Sequence, residues 1–225
     1  VNGNHLGMLV SINVGLPALL EHDGREVMTG IRKQPVGGAA WLSCSGLSGD
    51  GQADPVHHGG PDKAVCVYSA DHAPYWRQRW GKEVGDAAFG ENFTVTGALE
   101  TEVCIGDVVR VGGALLQVSQ ARLPCFKLAL RHGLPSLPQE VQDTGFTGFY
   151  FRVLEEGTVK PGDALVCEAR HPDRITVREG AAVMLSRKDD LPAARRLYAV
   201  DALADSWKAT LAARIARLEQ EEVAT

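Results

Sequence analysis

The chain has 225 residues, enough for one large domain or a medium domain with a small companion. Hydrophobic residues at 44% and charged residues at 23% fit an ordinary soluble globular protein, and no apolar run approaches the ~18 residues of a membrane span. A net charge of −5 argues against general nucleic-acid binding, while leaving room for a local basic pocket.

Up to about residue 168 the chain is a series of short strand-like runs broken by glycine. They fall at residues 9–14, 63–68, 92–96, 108–111, 114–119, 148–154 and 164–168. The runs are too closely spaced for helical crossovers, which predicts an antiparallel β-barrel. Short helices are expected at 72–80, 126–132 and 138–143. The fold class is thus mainly β with α, and residues 8–168 form its barrel domain. Five cysteines (Cys44, Cys66, Cys104, Cys125 and Cys167) are odd in number and widely spaced, with no CxxC pair or paired zinc pattern. Cys66, Cys104 and Cys167 lie in apolar runs and are expected in the core. Val1 to Gly7 lack a basic start followed by an apolar core, so a reducing cytoplasm is the expected location.

After His171-Pro172 the pattern becomes helical. Thr176 and Glu179 make a capping box, and Val177, Ala181, Met184 and Leu185 then share one face. A second start follows at Asp190-Leu191-Pro192. Trp207, Leu211, Ile215 and Leu218 form the apolar stripe of a third helix. Residues 171–225 are therefore expected to form a three-helix domain, too small to stand without docking. Its nine basic and nine acidic residues balance, unlike the concentrated positive charge of a DNA reader. A docking or dimerisation module is expected, so a homodimer is one predicted arrangement.

The chemistry centres on Gln120-Ala121-Arg122-Leu123-Pro124-Cys125-Phe126-Lys127-Leu128. Pro124 suits the first position of a helix stopped by Gly133, which would put Cys125 in the first turn among free N–H groups. With Arg122 and Lys127 beside it, that setting favours a thiolate able to attack electrophiles or bind a soft metal. The competing reading is a buried cysteine packed as a small hydrophobe. The segment from Gly46 to Lys63 is rich in glycine and ends before a strand. Gly59 and Gly60 would let backbone approach an anion, with His58 and Lys63 adding charge and hydrogen bonds. An ordinary surface turn fits the same composition. Asp54, His57 and His58 do not complete a tetrahedral metal site. Lys33 lies in a cationic run beside a strand, and Glu91 is a proton donor or acceptor if it is buried beside Lys33 and Cys125. A Cys–His hydrolase using Cys125 with His57, His58 or His132 lacks any supporting signature.

Three motifs, taken together, resemble the MOSC family, the domains named for the C-terminal part of molybdenum cofactor sulfurases. They are Gly49-Asp50…His57-His58-Gly59-Gly60-Pro61-Asp62-Lys63-Ala64-Val65, Phe89-Gly90-Glu91-Asn92-Phe93, and Arg122-Leu123-Pro124-Cys125-Phe126-Lys127-Leu128. The helical extension is similar to the bacterial YiiM-like subgroup, linked to 6-N-hydroxylaminopurine resistance. One departure is Ala121, where that subgroup commonly has proline. The resemblance implies a molybdopterin-type molybdenum cofactor with Cys125 as the protein ligand to the metal. It assigns the cofactor's anionic end to Arg122, Lys63, His58 and the Gly59-Gly60 backbone. Lys33 and Glu91 would line the pocket, Glu91 as proton relay, while Asp50 and Asn92 would orient the loops. The implied reaction reduces a small N-hydroxylated substrate, with electrons from a separate electron-donor protein. The alternative is a sulfur carrier holding a persulfide on Cys125. No nucleic-acid polymer and no membrane is expected as a partner.

Overall fold

A computed structural model describes residues 4–22, 25–54 and 59–223. Seven strands close a barrel: β1 (His5–Val14), β2 (Val65–Ser69), β3 (Phe93–Gly97), β4 (Val108–Val111), β5 (Ala114–Ala121), β6 (Phe149–Glu155) and β7 (Ala164–Ala169). Around the barrel the order is β1-β7-β4-β5-β6-β2-β3, with β3 pairing back onto β1. Period-2 alternation explains why these segments become strands. Val65 and Val67, Phe93 and Val95, Val109 and Val111, Leu116 and Val118, and Phe149 and Phe151 are all buried in one core cluster. In β1 the buried core residues are Leu6, Leu9 and Ile12, and their three-residue steps are absorbed where the register shifts, against β7 between His5 and Gly7 and against β3 between Leu9 and Ser11.

One expectation fails. Every barrel pairing is antiparallel except β2 with β3, which run parallel. Parallel neighbours need a crossover of about a dozen residues or more. Residues 70–92 supply it, carrying helix α1 (Ala73–Trp80). Helices α2 (Phe126–His132) and α3 (Leu137–Thr144) sit near α1. Among them lies a second cluster that includes Trp76, Phe89, Leu128 and Leu137, with Tyr68 stacked on Phe89 at 4.0 Å between ring centroids. The two-stranded ribbon Ala18–His22 with Arg25–Thr29, and the small sheet of Gly157–Val159, Ala40–Ser43 and Gly46–Leu47, had no counterpart in the expected strands.

The C-terminal helices are α4 (Val177–Leu185), α5 (Leu191–Tyr198) and α6 (Asp205–Val223). The capping box forms as the spacing predicts: Thr176 Oγ1 accepts from the Glu179 N–H at 3.1 Å, and Glu179 Oε2 accepts from the Thr176 N–H at 2.8 Å. Val177, Ala181, Leu197, Trp207 and Leu211 join the same hydrophobic cluster as the barrel strands. Backbone bonds tie the parts together, from Val177 N–H to Val103 O at 2.9 Å and from Ala204 N–H to Ser119 O at 3.0 Å. Among the described residues no helix is long and apolar enough to cross a membrane.

Candidate functional site

Beyond the end of β5 the backbone N–H of Arg122 donates to Gly148 O at 3.0 Å, extending the pairing with the β6 side by one residue. The chain then passes through Leu123 and Pro124 to Cys125, which is extended (φ −131°) and is the N-cap of α2. The helix therefore begins at Phe126, two residues after Pro124, and Cys125 stands at the cap of the first turn instead of lying within it. It ends at Gly133, whose positive φ of 67° suits glycine at this left-handed position. The Cys125 side chain makes no capping bond, and the half-buried residue borders a cavity that opens to solvent. The residue before the helix thus presents its sulfur beside the unpaired N–H groups of the first turn.

Four cations line this cavity, Lys33, Lys63, Arg122 and Lys127, and no carboxylate does so among the described residues. Arg122 is buried. Its Nη2 donates to the Phe89 carbonyl at 2.5 Å, while Nη1 has no partner. Burial opposes its charge, but Cys66, Tyr150, Cys125 and Glu91 around it more than compensate and hold its pKa above the ordinary value. A buried guanidinium with an unpartnered N–H costs about 1–3 kcal/mol, which an anionic acceptor would relieve.

Lys63 closes the 3-10 turn Pro61–Lys63, and burial pulls its pKa below that of an exposed lysine. An anion beside it would push that value back up. Lys33 is buried and paired with Asp50. Asp50 also accepts from the Gly15 N–H at 2.9 Å and from Asn92 Nδ2 at 2.8 Å. Asn92 Oδ1 accepts from the Cys66 N–H at 3.1 Å. Asp50 and Asn92 thus brace three loops around the cavity.

Other assignments change. Glu91 does not line the Cys125 cavity. Its carboxyl is buried and accepts from the Phe89 N–H and from Thr94 Oγ1, each at 2.9 Å, beside a separate small recess. The tight turn at Gly90, with φ 78°, sends residues 90 and 92 to the cavity and residue 91 away from it. Gly59 and Gly60 are not on the cavity wall either; Gly60 has φ 91° and supplies the carbonyl that receives the Lys63 N–H at 3.0 Å. His57 and His58 lie outside the described residues. His132 is at the far end of α2 from Cys125, with Nε2 2.7 Å from the Ala88 carbonyl, and it does not border the cavity. That removes the Cys125–His132 pairing.

Among the wall residues that went unrecognised as such are Cys66 and Tyr150. Cys66, expected in the core, is buried but borders the cavity, with its thiol bonded to Tyr150 and pushed up to about 11 by burial. Tyr150 faces Cys66 across the β2–β6 pair, and burial raises its own pKa. The signal was present: in Val65-Cys66-Val67 and Phe149-Tyr150-Phe151 the flanking residues fill the barrel, so the middle ones point to the other face. No group of three or more His, Cys, Asp or Glu that could hold a metal occurs among the described residues. A metal here would depend on the Cys125 sulfur, because burial keeps the Cys66 thiol protonated, and on ligands brought by a cofactor. A soft donor beside a buried, unsatisfied guanidinium and further cations suits an anionic, metal-bearing group.

Comparison with known proteins agrees with this architecture. The MOSC domain pattern matches residues 54–166, and the "YiiM-like, 3-alpha helix domain" pattern matches residues 175–218. The uncharacterized protein YflK of Bacillus subtilis (strain 168) is 47% identical over 210 residues, covering 93% of this chain and 95% of its own length. Protein YiiM of Escherichia coli (strain K12) is 37% identical over 187 residues, 82% of this chain and 83% of that protein. A protein named "Reductase" from Gibberella moniliformis (strain M3125 / FGSC 7600) is 38% identical over 148 residues, 63% of this chain but 26% of that longer protein. The crystal structure of YiiM from Geobacillus stearothermophilus superposes with a TM-score of 0.80 at 38% identity, covering 93% of this chain and 99% of that one. YiiM from Escherichia coli gives 0.77 at 31% identity, covering 94% and 93%. The two matching domain patterns and the relatives at 47% and 37% identity place the chain in the MOSC domain family, in the branch that carries the YiiM-like three-helix domain.

Proposed function

We propose that the Cys125 cavity holds a molybdopterin-type molybdenum cofactor and that the protein reduces N-hydroxylated bases, such as 6-N-hydroxylaminopurine, to the amine. The observation that carries this reading is the Cys125 sulfur at a cavity walled by four cations, one of them a buried guanidinium with an unpartnered Nη1. Membership of a family named for molybdenum cofactor sulfurases supports it, as does a relative named as a reductase. Cys125 would be the protein ligand to the metal. Arg122 and Lys63 would hold the anionic end, and the buried Lys33–Asp50 pair would keep the loops in place.

Removing oxygen from a hydroxylamino group follows R–NHOH + 2e⁻ + 2H⁺ → R–NH₂ + H₂O. The bound cofactor supplies the two-electron, oxygen-accepting chemistry, and the protein supplies binding and orientation. The residues of the cavity bring positive charge and exclude carboxylates that would repel an anionic pterin. Electrons would come from a separate electron-donor protein, because the sequence carries no flavin, haem or iron–sulfur motif.

The test is to purify the protein from cells able to make molybdopterin and to measure molybdenum and pterin. Cys125→Ser is expected to remain folded and to lose the metal; full metal retention would remove the ligand role. Cofactor-loaded protein supplied with an artificial electron donor is expected to convert 6-N-hydroxylaminopurine to adenine. No turnover across several N-hydroxylated bases would end the reductase reading.

A further inference from the structure

The turn that carries Lys63 is held from the side of the C-terminal helices, and Asp62 is the joint. Its Oδ1 accepts from Arg152, at 2.9 Å from Nε and 2.7 Å from Nη2. Its Oδ2 accepts from the backbone N–H of Asp205, the first residue of α6, at 2.9 Å. The Asp62 carbonyl lies 2.5 Å from Ser119 Oγ, and the Ser119 carbonyl receives the Ala204 N–H at 3.0 Å. Ser119 Oγ is also 3.1 Å from the carbonyl of Tyr150, a residue of the cavity wall. Arg152 is steadied in turn by Gln117 Oε1 at 3.1 Å. A carboxylate at the start of a 19-residue helix meets both unpaired N–H groups and the positive end of the helix dipole. The start of α6 therefore bears on the same turn whose next side chain, Lys63, faces the cavity.

We infer that Asp62 is a positioning residue: it transmits the seating of the C-terminal helices to the Pro61–Lys63 turn and holds Lys63 where an anion in the cavity meets it. This rests on the anion-holding reading of the cavity given above, and it gives the helical extension a part in the site. Asp62 makes no contact with the ligand in this role; it acts through Lys63.

Electrostatics sets the sign of the test. A carboxylate beside an anion site repels the anion, so charge alone predicts that Asp62→Asn tightens binding. A positioning role predicts the reverse, because Arg152 and the Asp205 N–H meet different oxygens, and asparagine would turn its NH2 donor toward one of these two donors. Calorimetric titration of inorganic phosphate into the full chain is expected to show binding about tenfold weaker in Asp62→Asn. Asp205→Pro removes the backbone donor at a first helical position, where proline is tolerated. It is expected to weaken phosphate binding about threefold, as an order of magnitude for one lost contact. Asp205→Asn keeps the N–H and is expected to bind as the unaltered chain does. Thermal unfolding checks that each variant is folded, and if Asp62→Asn is not, Asp205→Pro decides. Unchanged or tighter phosphate binding by either folded variant would overturn the positioning role and leave the anion reading intact. Failure of the unaltered chain to bind phosphate would instead overturn the anion reading, and this inference with it.

Discussion

Glu91 illustrates how burial redirects an acidic residue. Its position beside Asn92 suggests a pocket carboxyl, yet the side chain turns inward to the Phe89 N–H and Thr94 Oγ1. Phe89 in turn offers its carbonyl to Arg122, so Glu91 braces the turn that holds the guanidinium. Burial raises the Glu91 pKa above its ordinary value of 4.5, against the hydrogen bonds that lower it. A raised folded pKa means that the native state binds this proton more tightly than the unfolded chain. Glu91 therefore contributes stability that is full below pH 4.5 and is lost as pH rises through the folded value. Glu91→Gln suffers no such loss. Its urea midpoint, taken relative to the unaltered protein, is expected to rise between acid pH and neutrality. A difference that stays flat with pH would show that the carboxyl is not strained by burial.

At the scale of elements, local signals were legible where partners lie close in sequence. All seven barrel strands were foreseen as short apolar runs broken by glycine, with ends displaced by a few residues, and the range expected for α2, 126–132, matches at both ends. The capping box of α4 is a four-residue pattern, Thr176 to Glu179, and it formed. Thr176→Ala should cost about 1 kcal/mol by removing one reciprocal cap. For a chain of this size that corresponds to a fall of about 2–4 °C in Tm, readable by calorimetry. What escaped notice at this scale was the parallel pairing of β2 and β3. Its cause is a connection long enough to cross over, and spacing between the other strands gave no hint of it.

At the scale of the molecule, barrel and helices share one core. Val103, Ile105 and Leu116 pack in the same cluster as Val177, Trp207 and Leu211. Burying each large side chain is worth about 1.5–3 kcal/mol, so removing residues 171–225 should expose more apolar surface than the barrel can tolerate. The truncated chain is expected to be insoluble, or to keep far-ultraviolet dichroism while losing the near-ultraviolet signal. A soluble truncated barrel with native near-ultraviolet dichroism would contradict the shared core.

Periodicity, caps and turn residues act over a few positions, so the chain of amino acids by itself determined the strands, the C-terminal helices and the run that ends at Cys125. It also marked Lys63 and Arg122 as cations of interest. Only the tertiary structure decided which of these groups meet. Lys33 finds Asp50 across 17 positions, Arg122 finds Phe89 across 33, and Asp62 finds the N–H of Asp205 across 143. Such contacts are set by how strands pair and helices dock, not by local backbone preference. The outward faces of β2 and β6, which bring Cys66 and Tyr150 to the cavity, likewise acquire their role from what packs outside the barrel.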